Sequence, residues 1–171
     1  QHTDIDCWTK RKKRGYLFMT GDENPFDTVS RHQVEALVGD SLDEDIPVEE
    51  AVAAAAENYH LFFLIPDLQR RGRCEKRWRE LLGDHVICME SPEDTCAVAA
   101  AIVGLTEKAL PDVDAAVKAL RDNGIDRSRA AAVARAITPY ADLIDPASAG
   151  KIHAKHGASA PKKRWMKKIF G

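Results

Sequence analysis

Several signals that would point directly at a chemistry are missing from this 171-residue sequence. It has four cysteines, Cys7, Cys74, Cys88 and Cys96, and no two stand at CxxC spacing, which argues against a zinc knuckle. It has no glycine-rich phosphate loop, and no Ser, Cys or Lys carries the local signature of a nucleophile. Its six histidines are scattered; His153 and His156 share i, i+3 spacing, but no nearby Cys or acid completes a site. Aromatic residues make up only 6% of the chain. No apolar run approaches the length of a membrane span, and the polar then basic start is not a secretory signal. The first residue is Gln1 rather than Met, so numbering begins after a processed segment or within a longer chain. Cysteine usage fits a reduced, cytoplasmic setting.

What is present suits a folded domain with appendages. Hydrophobic residues reach 44% and charged residues 30%. The net charge of -2 hides a segregation. Residues 10–14, KRKKR, are all basic, and residues 146–171 carry seven Lys or Arg and no acid. Between them, residues 15–145 hold 25 acidic against 13 basic side chains. The chain is an acidic body with basic ends.

Three short apolar runs read as strands: residues 16–20 (YLFMT), 60–65 (HLFFLI) and 85–89 (HVICM). None alternates cleanly, as expected where both faces of a parallel sheet are covered. Helical patterns lie between them. Ser30 with Gln33 forms a capping-box pattern, Val34, Leu37 and Val38 a face, and Gly39 a stop. Pro47 stands at the first helical position before VEEAVAAAAEN. Residues 73–82 form a third helix, and Ser91 caps and Pro92 opens a fourth whose stripe is Val98, Ala101, Ile102 and Leu105. The alternation predicts an α/β fold with a Rossmann-like parallel sheet of about three strands and helices on its faces. Pro111 opens a further helix ending at Asn123-Gly124, and Asp126 caps another closed by Thr138-Pro139, a C-terminal helical hairpin. The expected division is an α/β half-domain over residues 1–110, the hairpin over 111–145, and a linker with a basic amphipathic tail over 146–171.

Ligands of open α/β sheets bind at the carboxyl ends of the strands. The first run leads into Thr20, Gly21, Asp22 and Glu23, the second into Pro66 and Asp67, and the third into Glu90 and Ser91. Each delivers an acid to one rim, and oxygen ligands suit Mg²⁺ or Ca²⁺. Acids after strands also cap helices, and Asp67 and Glu90 read as mainly structural, leaving Asp22 as the metal-ligand candidate.

The blocks KRGYLFMTGDENP, RHQVEALVGD, NYHLFFLIP and WRELLGDHVICMES, in that order, resemble the later half of a bacterial von Willebrand factor A domain over about residues 8–105. The resemblance implies a non-enzymatic protein-protein interaction module with a metal site at the carboxyl edge. Asp22 matches that family's late aspartate, although here Gly21 precedes it where the family has Asp then Gly. The family's Asp-x-Ser-x-Ser loop occurs nowhere in the chain. The runs present would be strands 4, 5 and 6 of the order 3-2-1-4-5-6. The implied metal site is therefore incomplete, with Mg²⁺ or Ca²⁺ held weakly by this chain alone. The expected partners are another protein, a missing upstream half of the domain, or a second copy joined through an exposed strand edge. Glu23, Asp67, Trp165 and Lys167 are the partner-binding candidates. A Mg²⁺-dependent Rossmann-like hydrolase is the alternative from another class.

The last residues, PKKRWMKKIF, place Trp165, Met166, Ile169 and Phe170 on one side at helical spacing, with five basic residues among them. Such a segment can meet an anionic membrane, nucleic acid or a partner groove. Docking on the acidic body or on a partner is favoured over membrane or nucleic acid.

Overall fold

The computed structural model describes residues 5–145. The expected linker and tail, with Trp165 and Lys167, lie outside the described residues. Two compact units divide the rest: residues 5–17 with 25–61, and residues 18–24 with 62–145. The fold is α/β, with a three-stranded parallel sheet flanked by helices. Its strands are β1 (Gly15–Thr20), β4 (Tyr59–Ile65) and β5 (Val86–Cys88), in the order β1-β4-β5. β4 is central, and Leu61 through Ile65 are all buried, which is why that run lacks alternation. Its register against β5 pairs Phe63 with Val86, Leu64 with Ile87 and Ile65 with Cys88.

The first unit also holds α1 (Asp6–Thr9), α2 (Arg31–Val38), α3 (Val48–Asn58) and a two-residue antiparallel ladder of β2 (Thr28–Val29) with β3 (Ile46–Pro47). That ladder is too short to leave a sequence period. Gly15 is buried, and a Cβ there would lie 3.2 Å from Ile5 and Tyr59 and 3.3 Å from Cys7. A side chain there would have to push these neighbours aside by a few tenths of an ångström, so glycine suits the close start of β1. Gly39 ends α2 with φ of 84°, as its left-handed stop required. The capping box does not form, because the Ser30 side chain makes no cap hydrogen bond. Asp45 replaces it, its Oδ1 accepting from the Arg31 amide at 2.9 Å. Pro47 precedes α3 as its cap rather than opening it.

The second unit holds α4 (Arg71–Leu82), α5 (Thr95–Thr106), α6 (Val113–Asp122) and α7 (Arg127–Ile144). Phe63, Ile65, Cys74 and Val86 form a buried cluster with Met19, Trp78, Leu82 and Cys88 packed against it. The expected stripe of α5 is fully buried. Ser91 accepts from the Glu93 amide at 3.3 Å and leads a short 3-10 turn, Pro92–Asp94, into α5. Asp126 caps α7 through the amides of Ser128 and Arg129 at 2.9 and 3.0 Å.

Two hairpin boundaries differ from expectation. α6 starts at Val113 because Asp112, not Pro111, is its cap, accepting from the Ala115 amide at 2.7 Å. α7 does not close at Thr138-Pro139 but runs through Pro139 to Ile144. A proline inside a helix costs about 3 kcal/mol. The next residue, Tyr140, offsets that cost. It is 1% exposed, sits edge-on to Phe62 at 5.0 Å and His85 at 5.2 Å, and its hydroxyl lies 2.7 Å from Thr106 Oγ1. Burying such a ring is worth about 2–3 kcal/mol before its hydrogen bond is added.

Candidate functional site

The carboxyl ends of β1 and β4 build a small polar rim within the second unit. β1 continues one residue along β4, because the Gly21 amide donates to the Leu64 carbonyl at 3.1 Å. A Cβ at position 21 would lie 3.2 Å from Phe63 Cζ, so glycine lets the backbone cross the face of that ring before the acids begin. Trp78 on α4 stacks on Phe63 at 3.8 Å, and its indole N–H donates to the Glu23 carbonyl at 2.9 Å. The acidic loop is thereby tied to α4 as well as to the sheet.

Asp67 organises the facing loop. Its carboxylate accepts from the Gln69 amide at 2.8 Å and its carbonyl from the Arg70 amide at 3.1 Å. This self-bonded turn folds the chain back, and Arg70 then pairs with Asp22. The Arg70 guanidinium's hydrogen bond, with its charge and that of Arg73, holds the Asp22 carboxyl below its ordinary range. The same bond raises Arg70. The side chains are 23% and 56% exposed, so the pair stands at the surface.

Glu75 lies on α4 one turn from each of two arginines. Its carboxylate accepts from Arg71 Nη2 at 2.9 Å and from Arg79 Nε at 2.7 Å. Arg79 also reaches Asp84 at 3.2 Å. Burial alone would raise Glu75, but the two guanidiniums outweigh it and hold its pKa down to about 2. Burial pushes the Cys88 thiol up to about 11 and raises Cys74 as well. Both stay protonated at neutral pH and are core residues rather than nucleophiles.

The candidate residues therefore part company. Asp22, Glu23 and Asp67 share the β1–β4 rim, with Asp67 shaping a turn and Glu23 bonded through its backbone. Glu90 is drawn away by Arg135 of α7, which donates to both its oxygens at 2.8 and 3.1 Å. Among the described residues no group of three or more His, Cys, Asp or Glu is gathered as a ligand set. With Asp22 engaged by Arg70, these residues do not by themselves fit a divalent cation. Sequence reasoning missed Arg70 and read Trp78 only as part of the apolar face of its helix, where it does pack against the buried cluster. The run QRRGR just after Asp67 was the available signal for Arg70.

No family model matches the chain, and it has no significant match among curated proteins or solved structures. Among the described residues, no helix is long and apolar enough to cross a membrane.

Proposed function

We propose that this chain is a non-catalytic protein-binding module of von Willebrand factor A type, supplying the carboxyl half of that fold and receiving its partner on the β1–β4 rim. One observation carries the reading: three parallel strands stand in the order β1-β4-β5, with Asp22 at the carboxyl end of the first. That is the arrangement the resemblance implies for strands 4, 5 and 6. The rim offers an acid and a guanidinium side by side, already ion-paired and surface-exposed. A partner bearing a carboxylate and a cation can exchange partners with such a pair at little desolvation cost, which favours specificity over raw affinity. The partner is a separate protein, an upstream half of the domain, or a second copy.

The test uses the full chain, Asp22→Asn and Arg70→Ala. A partner recovered with the wild-type chain is expected to bind each variant at least about tenfold more weakly, a loss of about 1.4 kcal/mol, with circular dichroism unchanged. Calorimetry with Mg²⁺ is expected to show no tight stoichiometric binding by the chain alone. Tight Mg²⁺ binding, or hydrolytic turnover abolished by Asp22→Asn, would replace this reading with the hydrolase.

A further inference from the structure

Helix α2 of the first unit carries an apolar stripe that the described residues leave open. Val34, Leu37 and Val38 fall at i, i+3 and i+4 and share one face. Yet no residue of α2 is buried, Leu37 being 83% and Val38 52% exposed. An isolated helix of eight residues is marginal in water and draws its stability from packing its apolar face. Residues 34–45 carry five acids, Glu35, Asp40, Asp43, Glu44 and Asp45, and no Lys or Arg. Arg31 binds this acidic loop to the start of the helix, donating from its amide to Asp45 at 2.9 Å and from its guanidinium to the Asp43 carbonyl at 3.3 Å. The surface is thus an apolar stripe beside a strongly acidic border.

We propose that residues 162–170 of the same chain dock on this face. The chemistry of the two surfaces is complementary. Trp165, Met166, Ile169 and Phe170 fall on one side at helical spacing and supply the apolar cover for Leu37 and Val38. Lys162, Lys163, Arg164, Lys167 and Lys168 supply five positive charges opposite the five acids. The connecting residues 146–161 can span up to about 50 Å when extended. Docking within one chain also holds the segment at an effective concentration near the millimolar range, so a weak contact suffices. The basic segment then masks an acidic, sticky surface, and a competing partner must displace it first.

Hydrogen exchange on the full-length chain tests this. The amides of residues 164–170 are expected to exchange at least about fivefold more slowly than an unstructured peptide of the same sequence. That protection is expected to vanish in Leu37→Asp and in Ile169→Asp, to weaken as salt is raised, and to be unchanged on dilution. Leu37 is exposed, so its substitution leaves the fold intact, which unchanged protection of β4 amides verifies. Unprotected amides in the wild type, or protection that survives Leu37→Asp, would overturn the proposal. So would protection lost on dilution, which assigns the face to a second copy, or protection seen only with anionic vesicles, which assigns the segment to a lipid surface.

Discussion

Glu75 offers the most quantitative test of how α4 is held. Its side chain is 17% exposed and lies between Arg71 and Arg79. The carboxyl falls from 4.5 to about 2 in the folded chain. At 1.36 kcal/mol per pKa unit the full shift is worth about 3 kcal/mol. Arg71 and Arg79 are 49% and 30% exposed, and solvent screening at that exposure trims the contribution to about 1–2 kcal/mol. The sign follows from the direction of the shift. The fold favours the ionised carboxylate, so the contribution is complete above the unfolded pKa of 4.5 and is lost as pH falls through about 2. Urea denaturation of the wild type and Glu75→Gln, compared at steps from neutral to about pH 2, isolates this group, because acid effects common to both chains cancel. The expected gap is about 1–2 kcal/mol at neutral pH, closing towards zero across that window. A gap independent of pH would refute the argument, as would equal stability at neutral pH.

Two further substitutions probe the second unit. Trp78→Phe keeps a ring on Phe63 but removes the donor to the Glu23 carbonyl; a loss of about 1 kcal/mol is expected in thermal denaturation, together with faster hydrogen exchange over residues 21–24. Arg129→Ala strands the carboxylate of Asp94, which is 3% exposed and accepts from Arg129 Nε at 2.8 Å. Breaking a buried pair from one side is expected to cost about 2–4 kcal/mol in chemical denaturation, and Arg129→Ala with Asp94→Ala together is expected to cost less than Arg129→Ala alone.

Much of the framework was legible from local signals. The three apolar runs announce β1, β4 and β5 because a strand covered on both faces has little room for polar residues. Gly39, Ser91 and Asp126 mark helix ends by their own backbone chemistry, and the stripe of α5 announces its buried face. The site was legible only in part. The position of Asp22 after its strand could be read, but not its pairing with Arg70, 48 residues away. That pairing requires β1 and β4 to be neighbours and Asp67 to fold its own turn.

Where local rules failed, a distant group had displaced the local one. Asp45 caps α2 in place of Ser30, and the burial of Tyr140 carries α7 through Pro139. Glu90, read from the sequence as mainly structural, pairs with an arginine on α7. Sequence by itself determined the three strands of the parallel sheet and the longer helices, since those choices depend on a residue's own conformational preference and its near neighbours, whereas the short α1 and the β2–β3 ladder left no such mark. Tertiary structure alone decided which distant charges meet, Asp22 with Arg70 and Glu90 with Arg135. A carboxylate takes the nearest well-placed cation, and nearness across 45 residues or more is a property of the folded sheet.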